Sequence, residues 1–267
     1  MKATPITRKQ VASFLKPRPK DSHKGLFGTV LVIGGGNGMI GAAILAGRAA
    51  LKLGAGCVHV GLLADNAPTV DVHCPELMLH KATDLLRSFP HPNPPPGGEG
   101  ANAKDNFNST VLVIGCGLGQ SLAAQKLLYD ALLLDVPLVL DADALNILAN
   151  RPDLRGMLHS RKTPVVITPH PGEASRLLGC RTDEIQKDRA ASALSLVKRL
   201  SASVVLKGAG SLVTTREGKL YINQTGNPGM SCAGMGDVLS GMIGAFIAQG
   251  LSADEALLLA VYSGPRI

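Results

Sequence analysis

Glycine-rich segments that lead into predicted helices are the first places in this chain where chemistry could occur. Residues 226–237 (GNPGMSCAGMGD) precede a predicted helix that begins near Asp237. The backbone N–H groups of residues 233–236 would face an anion there, because the N-terminal end of a helix carries partial positive charge. Asp237 would then place a carboxylate at the head of an anion-binding helix, or it can simply cap the helix. The residues alone leave both interpretations open.

A second glycine-rich segment, residues 36–41 (GNGMIG), follows one predicted strand and precedes a predicted helix. It formally matches the G-x-G-x-x-G pattern in which backbone N–H groups approach a dinucleotide pyrophosphate. The acid that should follow is poorly supplied, because the next one, Asp65, lies beyond the second predicted strand. A tight turn that feeds a close-packed helix explains the same glycines. A third such segment, residues 115–119 (GCGLG), ends another predicted strand, and the P-loop pattern G-x-x-x-x-G-K-[ST] does not occur in the sequence.

Polar side chains follow several of the predicted strands. In an open α/β sheet, residues just past the carboxyl ends of the strands line the ligand crevice. Taken singly, each such residue is more often a cap or a turn residue. The candidates for this crevice are Asp141, Asn146, His170, Glu173 and Asp237.

A cation also follows a predicted strand. Lys207 precedes the small residues of the segment 207–211 (KGAGS). A lysine with flexible backbone suits a nucleotide phosphate, since Lys supplies positive charge and glycines allow close approach. A hairpin turn explains the segment nearly as well.

The order of the predicted strands and helices that position these residues indicates an α/β fold. Its central sheet would be mostly parallel and flanked by helices on both faces. β-branched runs alternate with helix-length segments, which is typical of parallel βαβ units. Predicted strands cover residues 29–33, 57–63, 76–80, 110–114, 138–140, 165–168 and 204–206, with a hairpin at 211–215 and 220–223. Predicted helices cover residues 41–53, a segment ending at 132, 142–149, 182–200, 233–249 and a segment starting at 253.

Residues 1–267 are predicted to form a single domain. Residues 90–106 are rich in Pro and Gly, and they are interpreted as a flexible surface insertion, with a domain boundary as the alternative. The chain ends soon after the last predicted helix, so the C-terminus is expected to be shortened and the fold less stable for want of a closing helix.

The composition of the chain limits the classes of binding partner that are expected. The net charge of +7 arises from 27 Lys and Arg against 20 Asp and Glu, which suits an anionic small molecule. Aromatic residues make up only 3% of the chain, so there are few platforms for base stacking and no nucleic-acid partner is expected. Five cysteines without a C-x-x-C pair indicate a reduced, cytoplasmic compartment. The first 20 residues lack an apolar signal region, and no membrane association is expected.

Six segments occur in an order that resembles the ADP/ATP-dependent NAD(P)H-hydrate dehydratase family of the ribokinase-like superfamily: GGGNGMIGA, GCGLG, DADALN, TPHPGEASRLLG, VVLKGAGSLV and NPGMSCAGMGDVLSG. The resemblance runs from about residue 23 to about residue 261, outside residues 90–106. It implies a ribokinase-like fold and a repair reaction, in which ADP or ATP drives the removal of water from the S-epimer of 6-hydroxylated NADH or NADPH. The AGMGD segment alone would indicate only the wider superfamily.

The resemblance also implies roles for individual residues. Asp237 would be the base that takes the hydroxyl proton. The hydrated substrate would contact Ala42 or Ala43, Gly119, Asp141, Asn146, His170, Glu173 and Asp237. The nucleotide would contact Lys207, Gly208, Ala209, Gly210, Ser211, Gly234 and Gly236. Mg²⁺ would act through water on Glu173, without a direct protein ligand, because this ion keeps part of its hydration shell.

Other functions remain open at this stage. A kinase of a small alcohol or vitamin precursor would use the same superfamily chemistry and stop at the phosphate ester. A nicotinamide-dependent oxidoreductase would rest on residues 36–41 alone, and an idle nucleotide-binding protein would bind ADP without turnover. By family analogy the protein is expected to form a homo-oligomer, a tetramer. The preferences for ADP over ATP and for NADH over NADPH hydrate are not specified by the sequence.

Overall fold

A ten-stranded mixed sheet forms the centre of the computed structural model, which describes residues 3–88 and 110–264. The strands are β1 Thr4–Pro5, β2 Thr29–Gly34, β3 Cys57–Leu62, β4 Met78–Lys81, β5 Thr110–Ile114, β6 Leu138–Leu140, β7 Val165–Ile167, β8 Ser203–Leu206, β9 Leu212–Thr214 and β10 Leu220–Ile222. Their spatial order is β1-β10-β9-β8-β7-β6-β5-β2-β3-β4. From β4 to β8 all neighbours are parallel, whereas β9 runs antiparallel to both β8 and β10. The predicted α/β class is confirmed.

Helices cover both faces of this sheet. They are α1 Arg8–Ala12, α2 Ile40–Lys52, α3 Ala82–Arg87, α4 Leu122–Leu133, α5 Asp143–Asn150, α6 Pro152–His159, α7 Pro171–Leu178, α8 Thr182–Lys187, α9 Arg189–Leu200, α10 Met235–Ala248 and α11 Ala253–Ser263. Within the described residues, short 3₁₀ turns lie at Lys24–Phe27 and Pro228–Met230. Across residues 3–88 and 110–264, no helix has the length and apolar character needed to cross a bilayer.

The neighbouring strands β2 and β5 have apolar runs as sequences, and their burial explains why. β2 and β5 pair in register from Thr29 opposite Thr110 to Ile33 opposite Ile114. In β2 the side chains of Leu31 and Ile33 enter the core beneath α3 to α9, while those of Val30 and Val32 enter the core beneath α2, α10 and α11. A parallel strand buried on both faces needs apolar residues at every position. Both strands then end in glycine at the same edge of the sheet.

Several predicted elements need correction. The predicted helix over 182–200 is two helices, because Asp188 leaves helical geometry (φ −141°, ψ 80°) and its side chain accepts a hydrogen bond from the Ala191 N–H to cap α9. The helices α3, α6 and α7 were not predicted, and neither were β1 and α1. The start of α7 has the composition of a turn, since it begins with Pro171 and Gly172. The predicted insertion at 90–106 and the last three residues lie outside the described residues.

Glycines let α10 lie close to both α2 and the sheet. A side chain at Gly241 would overlap the backbone carbonyl of Ala46 in α2. A Cβ at Gly244 would lie 2.7 Å from the side chain of Val113 in β5. Because the contact at Gly241 is with backbone, a neighbouring rotamer cannot relieve it. This close packing fixes the position of α10, and with it the position of the segment that precedes the helix.

We expect Gly241→Ala to lower the free energy of unfolding by about 3 kcal/mol, the upper part of the usual range for an overpacked core. Gly156→Ala in α6 is the matched control, because a Cβ there meets no atom within 4 Å. That substitution should raise the free energy of unfolding by about 0.5–1 kcal/mol, since alanine favours a helix over glycine. Urea denaturation of both variants checks this, and equal effects would contradict the packing account.

Candidate active site

The carboxyl ends of β5 to β8 bring the candidate residues together at one edge of the sheet. Asp141 directly follows β6 and is 1% exposed, and Lys207 directly follows β8. His170 and Glu173 follow β7 and form the start of α7. The first turn of α10 reaches the same edge and contributes Asp237.

The buried carboxylate of Asp141 is held by donors from three elements. Lys207 Nζ lies 2.9 Å from Oδ1, and Ser240 Oγ donates a 2.7 Å hydrogen bond to Oδ2. The N–H of Ala142 also donates to Oδ1, at 2.9 Å. A buried carboxylate needs such donors, because removal from water is otherwise costly. The arrangement ties β6, β8 and α10 to one another.

Lys207 stands between two acids. Its Nζ is 2.9 Å from Asp141 and 3.9 Å from Oε2 of Glu173. Burial alone would lower the pKa of Lys207, but these two carboxylates outweigh burial and hold that pKa above its ordinary value. Gly236 lies beside this ammonium group, since a Cβ there would be 3.2 Å from Nζ. The start of α10 and the segment after β8 therefore meet at Lys207.

Asp237 is the third residue of α10, because the helix begins at Met235, two residues before the start near Asp237 that the sequence predicted. Burial raises the pKa of its carboxyl to about 6, against a smaller opposing effect of a hydrogen bond from the Cys116 thiol. The Cys116 sulfur and carboxylate oxygens of Asp141 and Asp237 all lie within 4.8 Å of one another. Lys207 and Ser240 already bind both Asp141 oxygens, so we interpret this trio as a cluster of buried polar groups rather than a metal site. A carboxylate with a pKa near 6 can act as a general base near neutral pH.

His170 and Glu173 cap α7 reciprocally. The His170 N–H donates to Glu173 Oε2 at 2.8 Å, and His170 Nδ1 accepts from the Gly172 N–H at 3.0 Å. Burial, followed by the charges of Lys207 and Arg176, lowers the pKa of the imidazole, in agreement with an unprotonated Nδ1. Burial raises the pKa of Glu173. The cap uses one carboxylate oxygen, and the imidazole stays half-exposed at the rim of the site.

A chain of hydrogen bonds forms a second part of the rim. The N–H of Gly119 donates to Asp143 Oδ2 at 2.8 Å, and Asn146 Nδ2 donates to Asp143 Oδ1 at 3.3 Å. Arg176 Nε donates to Asn146 Oδ1 at 2.9 Å. This chain connects the 115–119 segment with α5 and α7. Arg176 was not among the predicted site residues, although its position one turn after Glu173 was a usable signal.

The glycine-rich segment at residues 36–41 packs, together with Gly35, against the loop at residues 115–119. The N–H groups of Gly35 and Gly36 donate to the carbonyls of Cys116 and Gly117, at 3.0 and 2.6 Å. These N–H groups are therefore not directed at a pyrophosphate. Asp65 is likewise engaged, because its carboxylate accepts a 3.0 Å hydrogen bond from the Asn37 amide. The structure thus supports the tight-turn explanation of residues 36–41 rather than the dinucleotide fingerprint.

The two alanines named as alternatives differ in exposure. Ala43 is completely buried in α2, so its side chain offers no surface to a ligand. Ala42 is partly exposed and lies beside Gly117, where a Cβ would be 3.0 Å from the Ala42 Cβ. Ala42 is therefore the member of the pair that borders the site.

The segment after β8 and the segment before α10 flank Lys207. Gly208 and Ala209 are exposed, while Gly210 and Ser211 are partly exposed. Gly234 has a φ of +86° and forms the N-cap of α10. Sequence reasoning missed Ser240, because it lies inside an apolar helix where only the docking of α10 reveals its partner.

Comparisons with known proteins identify a matching family. A family model described as NAD(P)H-hydrate dehydratase matches residues 30–264. The ADP-dependent (S)-NAD(P)H-hydrate dehydratase of Neisseria meningitidis is 41% identical over 244 residues, which cover 90% of this chain and 76% of the relative. The bifunctional NAD(P)H-hydrate repair enzyme of Escherichia coli is 44% identical over 253 residues, covering 94% of this chain and 44% of the relative. The chain thus spans about half the length of the bifunctional relatives that it matches.

A solved structure is similar over nearly the whole chain. The ADP/ATP-dependent NAD(P)H-hydrate dehydratase of Bacillus subtilis, co-crystallised with ATP and Mg²⁺, superposes with a TM-score of 0.81 at 31% identity. The match covers 98% of this chain and 87% of the Bacillus protein. The ribokinase-like fold expected from the sequence is therefore confirmed.

We expect Asp237→Asn to raise the melting temperature at pH 7.5. The pKa of Asp237 is about 6 in the folded protein against an ordinary value of 3.8, so this carboxyl lowers the stability progressively as the pH rises from 3.8 to about 6, and fully above that. An amide avoids that cost. As the pH falls below 6, Asp237 protonates in the folded protein and the difference should shrink. Calorimetry of both proteins from pH 4.5 to 8 checks this, and a less stable variant at pH 7.5 would contradict a desolvated carboxylate.

Proposed function

The chain belongs to the NAD(P)H-hydrate dehydratase family, and we propose that it removes water from the (S)-hydrate of NADH or NADPH at the expense of ADP. The observation that carries the proposal is the carboxylate of Asp237, which has a pKa near 6 and lies in the first turn of α10 beside Lys207 and the exposed glycine segments. This site combines a base with groups that can hold phosphate. The ADP preference is supported by the name of the Neisseria relative.

The proposed reaction has two steps. Asp237 accepts the proton of the substrate hydroxyl as that oxygen attacks the terminal phosphorus of ADP, so AMP leaves and a phosphate ester forms. The phosphate then leaves the ring carbon with the bonding electrons, and loss of a proton from the adjacent carbon restores the double bond. N–H groups at the start of α10 would stabilise the charge on the transferred phosphoryl group. The partial burial of Asp237 keeps the base poised near neutral pH.

The hydrated substrate would occupy the rim formed by Ala42, Gly119, Asn146 and His170. The nucleotide would lie over residues 207–211 and beside Gly234 and Gly236. Lys207 contributes positive charge there, although its pairing with Asp141 neutralises part of it. Asp141 would shape the site from below, because it is buried and bonded to Ser240.

The carboxylate oxygens at this edge of the sheet suit a Mg²⁺ ion that is held through water molecules. Glu173 gives Oε2 to the cap of α7, and Asp141 is already bonded by Lys207 and Ser240. Mg²⁺ keeps several waters and uses few carboxylates beside substrate phosphates, so a water-mediated contact with Glu173 suits the arrangement. When bound, the ion would neutralise charge on the nucleotide phosphates. The Bacillus relative was crystallised with ATP and Mg²⁺.

We also propose that the chain forms a single domain and that it is located in the cytoplasm. By family analogy it would assemble into a homo-oligomer, a tetramer. The five cysteines are all free thiols in the structure, which suits a reducing compartment. Exposed apolar side chains on and near α2 suit contact with another subunit; they are Met39, Leu45, Val70 and Val72. A kinase of a small alcohol would use the same first step and release the ester, and the match to the dehydratase family favours dehydration over that alternative.

Asp237→Asn should reduce turnover of hydrated NADH by a factor of roughly 10² to 10⁴, the usual contribution of a positioned base. Its affinity for ADP should stay within about twofold of the wild type, because the base acts on the substrate hydroxyl and is not needed to bind the nucleotide. Recovery of reduced-nicotinamide absorbance with Mg²⁺ and ADP measures turnover, and calorimetry measures ADP binding. Unchanged turnover in the folded variant would remove Asp237 from the mechanism.

The pH dependence of kcat/KM should show an acid limb near pH 6 that belongs to Asp237. Activity falls as the pH drops through this value, because the protonated carboxyl cannot accept a proton. Although burial dominates the shift, the Cys116 thiol opposes it by donating to the carboxylate, so Cys116→Ala should move the limb to higher pH. Cys116→Ser keeps a donor and is the matched control, with a limb near that of the wild type. Identical limbs in the two variants would contradict this role of the thiol.

A further inference from the structure

Arg189 binds the segment after β8 from beneath. It is the first residue of α9, and its guanidinium donates to the carbonyls of Ala209, Leu206 and Lys207 at 2.6, 3.1 and 3.3 Å. Its Nε is buried without a hydrogen-bond partner in the described part of the chain. No carboxylate of residues 3–88 or 110–264 forms an ion pair with it, and burial lowers its pKa. A cation held only by backbone carbonyls keeps its positive charge uncompensated.

Because the peptide bond is planar, these contacts with carbonyl oxygens also fix the direction of the N–H groups in the segment. In a trans peptide the C=O and the N–H that follows it point in opposite directions, and the described chain contains no cis peptide. The carbonyls of Lys207 and Ala209 point toward Arg189, so the N–H groups of Gly208 and Gly210 point away from it. Neither N–H donates a hydrogen bond to another described residue. N–H groups that share one side of a loop form a site for anionic oxygen.

Building on the proposed function, we propose that Arg189 is a positioning residue for the nucleotide. It holds the carbonyls of the segment inward, so that the N–H groups of Gly208 and Gly210 face the phosphates of ADP. It also places an uncompensated positive charge beneath them. The glycine at 208 fits this role, because its φ is +143° and a Cβ would lie 3.0 Å from a guanidinium nitrogen.

The chain offers a matched control in Arg161. This guanidinium also donates to backbone carbonyls, those of Leu132 and Val136, and its Nε is likewise buried without a partner among the described residues. Burial lowers its pKa as well. Arg161 lies just before β7, at the amino edge of the parallel strands, so it is remote from the nucleotide segment. Loss of Arg161 reproduces the structural cost of losing Arg189 without touching the candidate site.

The experiment compares Arg189→Gln, Arg189→Lys and Arg161→Gln. Calorimetry with ADP and Mg²⁺, in the absence of hydrated substrate, gives the Kd, and steady-state assays give KM for ADP and kcat. Arg189→Gln should raise both Kd and KM by about tenfold or more, because it removes several charged hydrogen bonds that orient the segment. Its kcat at saturating ADP should change by less than about threefold, since the base is untouched. Arg189→Lys should fall between the wild type and Arg189→Gln.

Arg161→Gln should lower the melting temperature to a similar extent and leave the Kd for ADP within about twofold of the wild type. An unchanged Kd in Arg189→Gln, or an equal increase in Arg161→Gln, would overturn the inference. If Arg189→Gln does not fold, Arg189→Lys carries the test, and its Kd must rise. A wild type that binds ADP without restoring the cofactor would contradict the proposed function, while the Kd measurements would still decide the role of Arg189.

Discussion

A single buried carboxylate joins the parts of the chain that form the candidate site. Asp141 lies at the end of β6, and its two oxygens accept from Lys207 at the end of β8 and from Ser240 in α10. Removing one partner of a buried ion pair typically costs about 3–5 kcal/mol, because the remaining charge is left without compensation. Asp141 therefore fixes the position of the base on α10 and that of the cation after β8. Chemistry at this edge depends on that common point.

The surrounding structure makes this arrangement possible. Gly241 and Gly244 let α10 pack against α2 and the sheet, which brings Ser240 within reach of Asp141 and carries Asp237 toward Cys116. The ionised Asp237 opposes folding near neutral pH because it is partly buried, whereas the same burial makes it a stronger base. The stability cost and the chemical use of this residue therefore have one physical origin.

Much of the site could be predicted because parallel strands place their carboxyl ends at one edge. Three predicted apolar strands precede these residues, so their proximity follows from topology; the residues are Asp141, His170, Glu173 and Lys207. Local patterns were less informative where tertiary contacts decide the outcome. Residues 36–41 match a dinucleotide motif, yet the N–H groups of Gly35 and Gly36 donate to carbonyls of the 115–119 segment. The partners of Ser240 and Arg189 depend on how helices dock, and no local pattern encodes that.

In the proposed reaction, phosphoryl transfer from ADP drives the restoration of the reduced cofactor. Phosphorus NMR of a reaction that contains hydrated NADH, ADP and Mg²⁺, read together with nicotinamide absorbance, tests it most directly. The account predicts one AMP and one inorganic phosphate for each molecule of NADH restored. A stable phosphate ester that accumulates while NADH does not return would contradict the account and identify a kinase.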